Sequence, residues 1–557
     1  MSQAPQSALE RYKARRTGAE VGPLLLPREA AYRRAAPLWL KSAVLATGLL
    51  VLVLTVRTSL PPAGHAVDLA YEIDLASAPE GVLVVTVQVE GSLPPRLDLG
   101  FPSGVFGDAG NGVTPHSPTA EAPDGENGRP RPLPVEQTGN GWQVTTQRAR
   151  SLTFRYQVDL ARTRGREQDI RRYISTPVAG GLRAAGFEVF LAPEGVEVHD
   201  ITVALRNPGE LPVLVPWPAL VRGRHAGAGH PDSLSAAPVA TAHLGAGQGY
   251  LPAGPAPARS SPPSHDPTAV PGGLAYHPRN LRDLSNALLV CGDIRAAAVE
   301  VRDCTIQYAT DRHWRFTDAE ALDLVRRIAR TQLGFFGSAP ATPITVLLGA
   351  NEVHGDGAFD LYGVHTGSSI LVMADPALTL DELEGQAASV ISHEMFHGWL
   401  GEAIPQTDPS TLWFTEGAAT WFAARMLTAA GIWGPEATRD RLAERIERDY
   451  RRSDLLGRMS VAEAAAGVMS GGDQVRYAYA GGMAACAGLD AWLAAESGVE
   501  HPLDAVLRHL YEERDGSPLS RAAIETAVRD VTGVDCGWWL DAHVYGKTAL
   551  PPSEGLI

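Results

Sequence analysis

Two histidines four residues apart, with a glutamate beside the first, in Ser392-His393-Glu394-Met395-Phe396-His397-Gly398, restrict this chain more than any other stretch. On a helix of ~3.6 residues per turn the two imidazoles are offset by ~40°, so both project from one face and can grip one metal ion. Thr379 and Glu382 form a capping box, which predicts a helix from about residue 380 through about Gly398. A second amphipathic segment, Thr411 to Phe422, is apolar apart from Glu416. A buried carboxylate is costly unless it is paired or bound to metal, so Glu416 needs a partner. Eighteen residues separate His397 from Glu416, enough for one turnaround between antiparallel helices. Two imidazoles and one carboxylate suit zinc and leave its fourth position to water, as a catalytic site requires. Other first-row metals accept the same ligands. Glu394 projects beside the open position, where it can take a proton from metal-bound water and return it to a leaving amine.

The 57 glycines and 42 prolines among 557 residues are well above the ordinary share, and their positions divide the chain. Residues 67–250 read as a β-rich, sandwich-like domain, with segments such as 82–89, 152–160, 187–192 and 200–205 rich in β-branched and aromatic residues. Within it residues 101–141 read as an inserted polar loop. A Pro/Gly linker follows at 251–280, densest at 251–273. The next domain, 281–460, mixes helices with a few strands. A capping box at Thr317 and Glu320 opens a helix through about Leu333, and 344–350 and 369–374 are strand candidates. Residues 461–557 read as a C-terminal helical region, with helices at 480–496, 502–513 and 519–531. The four cysteines include no CxxC pair and exclude a cysteine-based zinc ribbon; Cys291 and Cys304 read either as a disulfide or as buried thiols.

Residues Ser42 to Val56 carry no charge, and 38–60 read as a transmembrane anchor, with Lys41 snorkelling and Trp39 at the interface. Residues 1–37 form a basic tail; through residue 41 there are eight basic groups against three acids, so the N-terminus is expected in the cytoplasm and the rest of the chain outside it. A cleaved signal peptide, with Gly64 and Ala66 near the cut, is the competing reading. The net charge of −15 argues against a nucleic-acid partner. Eight charges beside a membrane are ordinary topology determinants, although such a tail also suits a lipid- or partner-binding signal.

The motif HEMFHGW, the eighteen-residue gap and LWFTEGAATWF resemble the gluzincin zinc metallopeptidases, and among them most the glycyl aminopeptidase family. FEVFLAPEG with Trp217, the stretch from Tyr477 to Gly482 and the end VTGVDCGWWLDAHVYGKTALP are similar to that family's layout, over most of residues 67–550. The resemblance implies a thermolysin-like zinc catalytic domain with one Zn2+ on His393, His397 and Glu416, Glu394 as general base and acid, and Tyr479 donating a hydrogen bond to the tetrahedral oxyanion; Tyr477 is its rival. In that family a Gly-Gly-Leu-Glu-His-like stretch supplies a glutamate that holds the substrate's free amine. The corresponding Tyr362-Gly363-Val364-His365-Thr366-Gly367 has none, which puts aminopeptidase specificity in doubt, and His365 either lines the pocket or sits on a surface loop. The strand from Ser369 is expected to bind extended peptide by edge pairing.

The expected molecule is thus a multidomain α+β protein at the cell membrane that hydrolyses peptides or proteins outside the cytoplasm. The alternative is a non-catalytic zinc-containing binding or scaffold protein working through its β-rich domain. Intact Glu394 argues against it, because a structural site has no use for a general base.

Overall fold

The computed structural model describes residues 65–102, 115–123, 129–139, 141–161, 174–217, 274–351, 361–467 and 472–550. The expected anchor at 38–60, the basic tail and residues 251–273 lie outside them. Among the described residues no helix is long and apolar enough to cross a membrane.

Alternation of side chains builds the N-terminal part. In Val82–Gly91 the inward set Leu83, Val85, Val87 and Val89 is fully buried, while the residues between them are part-exposed or exposed. This strand is central to a seven-stranded sheet that also contains Ala66–Asp74, Ser151–Asp159 and Glu197–Arg206. The inward faces share one core with Leu97, Leu99 and Val144 of a four-stranded sheet, as a sandwich requires. Residues 101–141 are not simply a polar loop: His116–Ala122, Arg131–Pro132 and Val135–Thr138 are strands at sheet margins. Their outer faces are solvated, so they carry few of the apolar residues by which a strand is read. The end of the expected linker is also a strand, Leu274–Tyr276, paired with Glu197–Arg206.

The next part is a five-stranded sheet ordered Arg295–Val301, Cys304–Thr310, Ile344–Ala350, Ser369–Ala374, Leu361–Thr366. Both faces of its middle are covered. Val346, Leu348, Ile370 and Val372 face the helices, whereas Leu347, Leu371 and Met373 pack on Leu288, Val290 and Phe187 of the preceding part. This explains why 344–350 and 369–374 read as unbroken apolar runs. Ser369–Ala374 is flanked on both sides, so it is not the edge expected to bind peptide; the edge is Leu361–Thr366, one strand earlier in the chain. There Tyr362 and Val364 face the other layer, leaving Gly363 and His365 on the helical side.

Both expected capping boxes form, at Thr317/Glu320 and Thr379/Glu382. The first opens the helix Asp318–Phe336. The second starts a path that widens into a π-helical turn at Leu383–Ala387 before continuing as the motif helix Ala388–Phe396. Leu412–Ala429 and Asp473–Ser497 complete the layer, and further helices run over Pro502–Glu512 and Arg521–Thr532. All four cysteines are buried and free. Cys291 belongs to the core of the N-terminal sheets and Cys304 to that of the helical layer, which separates the proposed pair.

Candidate metal centre

The motif helix and Leu412–Ala429 pack side by side, tied by a buried chain in which Gln332 donates to Ser392 and Ser392 Oγ donates to the Ala423 carbonyl. This brings His393, His397 and Glu416 together, all three largely buried, and they form the one candidate metal-binding group among the described residues. His393 Nε2 and His397 Nε2 are 3.1 Å apart. Glu416 Oε2 lies 3.2 Å from the first and 3.5 Å from the second.

Those three spacings test the fit to a metal. Ligand atoms held at ~2.0–2.1 Å from a tetrahedral ion stand ~3.3 Å apart. The remaining ring nitrogens are turned away: His397 Nδ1 is 3.1 Å from the Leu400 carbonyl and His393 Nδ1 is 3.3 Å from Thr420 Oγ1. Thr420 gives its own proton to the Glu416 carbonyl at 2.8 Å, so its oxygen is free to accept from His393. With each Nδ1 donating to its oxygen, each Nε2 would be left to offer its lone pair to a metal at the shared centre. The donor set, its spacing and its second layer of hydrogen bonds all fit a zinc ion. Burial works to raise the Glu416 pKa, but His397 and His393 hold it well below the usual carboxylate range.

Glu394 is one residue along the same helix and lines a cavity with His393 and Tyr479. Burial pushes its pKa up, partly offset by the two histidines. The edge strand reaches it closely because of a glycine: a Cβ on Gly363 would stand 2.5 Å from Glu394 Cγ and from Val390 Cγ1.

Tyr479 stacks on His393, with ring centroids 5.9 Å apart. Burial, then Glu416 and Glu394, raise its pKa well above the ordinary phenol value, so it stays protonated and able to donate. Tyr477 is turned elsewhere: its hydroxyl donates to the Met459 carbonyl at 3.2 Å and its ring stacks on Tyr450. A close crossing sets the position of Tyr479. Cβ atoms added at Gly417 and Gly482 would stand 2.3 Å and 2.4 Å from backbone of the opposite helix, so the two helices touch beside Glu416 and about one turn from Tyr479.

His365 is on the edge strand rather than on a surface loop, its ring centroid 6.4 Å from that of His397. Both ring nitrogens are buried without a hydrogen-bond partner. Burial, and then His397, push its pKa down to about 3. Sequence reasoning missed Gly363, Thr420, Gly417, Gly482 and Arg445, the last a further lining residue of the cavity. Gly417 sits beside Glu416 in a run of small residues facing another such run at Gly481-Gly482, and that pairing was the available signal.

Residues 340–513 match the family model described as the peptidase family M1 domain. The gluzincin resemblance is thereby borne out over residues 340–513, where the matching model is that of M1. Glutamyl aminopeptidase from Mus musculus is 32% identical over 68 residues, 12% of this chain and 7% of that protein. Aminopeptidase N from Lactobacillus delbrueckii subsp. lactis is 23% identical over 153 residues, 27% of this chain and 18% of that protein. The chain thus spans less than a fifth of the length of these curated relatives. The crystal structure of an aminopeptidase N family protein from Idiomarina loihiensis superposes with a TM-score of 0.65, at 16% identity, over 88% of this chain and 78% of that one. That likeness is one of fold.

Proposed function

We propose that the protein is a gluzincin zinc peptidase, on the support of the match of residues 340–513 to the peptidase family M1 domain, and that it hydrolyses peptide bonds with Glu394 as proton carrier and with no glutamate on the described edge strand Leu361–Thr366 to hold a free amino terminus. The observation that carries the reading is the convergence of His393 Nε2, His397 Nε2 and Glu416 Oε2 at 3.1–3.5 Å, with Glu394 and Tyr479 flanking it. These three residues would hold the zinc, which would supply a Lewis acid to polarise the scissile carbonyl and acidify water. Glu394 takes the proton from the attacking water and hands it to the departing amine; its raised pKa favours the first of these transfers. Tyr479, kept neutral, donates a hydrogen bond to the oxyanion. The backbone of the edge strand Leu361–Thr366 pairs with an extended substrate, and Gly363 allows that strand to lie against Glu394.

His365 carries no negative charge in any protonation state, so it cannot neutralise a substrate ammonium. Peptides that differ only in a free or acetylated N-terminus should therefore be cleaved with kcat/KM values within about threefold of each other. The relatives are named aminopeptidases. A preference of tenfold or more for the free amine would place this chain with them and remove the amine-independent reading.

We also propose that residues 38–60 anchor the chain in a membrane with the peptidase domain outside the cytoplasm, on the support of the uncharged run Ser42 to Val56 and the basic excess before it. The protein should stay with membranes through an alkaline wash; release into the supernatant would contradict this.

A further inference from the structure

We propose that the cavity beside the metal ligands holds a carboxylate-binding subsite built on Arg445, so that preferred substrates carry a carboxylate on the residue immediately after the scissile bond. The proposal deepens the peptidase reading and rests on it. A cavity of about 340 Å³ opens between the motif helix, the edge strand and the helix Pro435–Arg445. Arg445 lines it together with His393, Glu394 and Tyr479. No hydrogen bond or ion pair holds the Arg445 guanidinium among the described residues, although the side chain is withdrawn from most solvent.

The acids near it are already committed. Asp449 is gripped by Arg448 through two contacts of 2.9 Å. Glu416 faces the two imidazoles, and Glu394 is assigned to the proton. The neighbouring cation Arg441 is committed as well, stacked over Trp433 at 4.6 Å and donating to the Gly385 carbonyl at 2.9 Å. A cation held out of water without a counter-ion is costly. A carboxylate entering the cavity removes that cost and matches the guanidinium fork with two parallel hydrogen bonds. Glu394 borders the same cavity and gives its proton to the leaving amine, so the residue occupying the cavity is the one whose amine departs. Its carboxylate comes either from a free C-terminus or from an aspartate or glutamate side chain.

N-acetylated peptides cleaved at one bond separate the two sources. One pair ends in alanine as the free acid or as the amide; the other, amidated throughout, places glutamate or glutamine after the scissile bond. The zinc-loaded protein should favour the charged member of at least one pair by roughly 10- to 100-fold in kcat/KM. Arg445→Gln should bring that ratio to about one, and Arg445→Lys should keep part of it. The same pairs are titrated by calorimetry into zinc-loaded Glu394→Gln protein, where the charged member should bind more tightly by a similar factor and lose that advantage in Glu394→Gln/Arg445→Gln. Cleavage of charged and neutral members at equal rates would overturn the Arg445 assignment while leaving the peptidase reading in place. Cleavage of none of them would overturn the peptidase reading, and the binding arm would still decide for or against Arg445.

Discussion

At the scale of single residues, the centre shows how burial assigns roles to groups that look alike in the sequence. Tyr477 and Tyr479 are two positions apart on one helix, yet one hydroxyl is spent on the Met459 carbonyl and the other lies with Glu416 and Glu394 around it. Tyr479→Phe should lower kcat about 100- to 1,000-fold, the range for losing one oxyanion donor, with KM changed little. Tyr477→Phe should leave kcat within about twofold and cost about 1 kcal/mol of stability, the worth of one hydrogen bond. Steady-state kinetics and denaturant unfolding of both variants check the pair; equal kinetic losses would mean that the two rings share the role. Glu394 and Glu416 part in the same way. Burial raises the first, which has no committed cation, whereas two imidazoles hold the second ionised.

At the scale of elements, the position of Tyr479 depends on how closely two helices meet. An added Cβ at Gly482 would stand 2.4 Å from the Trp413 carbonyl and 3.1 Å from Gly417 Cα, backbone atoms that have no rotamer to change. Gly482→Ala should cost about 1–3 kcal/mol through overpacking, more than the ~1 kcal/mol that alanine gains in helix propensity. Because the displaced helix carries Tyr479, kcat should fall as well. Gly488→Ala on the same helix meets Trp539 at an ordinary 3.4 Å and should be neutral to slightly stabilising. Thermal unfolding of the two variants decides; a neutral Gly482→Ala would mean that the crossing is not tight. The capping boxes, the two buried strands and the motif helix were legible because caps and apolar runs are local signals. The π-helical turn at Leu383–Ala387 and the glycine crossing were not, since each is set by a partner distant in sequence.

At the scale of the whole molecule, the three ligands and Glu394 were readable because a metal demands fixed residue types at fixed spacing, and the helices deliver the geometry that the spacing requires. The true edge strand was harder to find. Leu361–Thr366 lies at the margin of its sheet although it precedes Ser369–Ala374 in the chain, and strand order is a property of the fold rather than of either segment. The weakly patterned strands of 116–138 were hidden for a related reason, because margin strands bury little. The sandwich, the doubly covered sheet and the helical layer together fix the Glu394 carboxyl, the tyrosine and the three ligands around one point. Peptide cleavage with purified protein carrying one zinc per chain, measured for the parent, after chelation and zinc return, and for Glu394→Gln with its zinc content verified, decides whether this centre is a zinc peptidase site. Chelation should abolish cleavage and zinc should restore it, and Glu394→Gln should keep its zinc but lose about 10²- to 10⁴-fold in kcat. Cleavage by Glu394→Gln at the parent rate, or cleavage indifferent to zinc removal, would contradict that assignment.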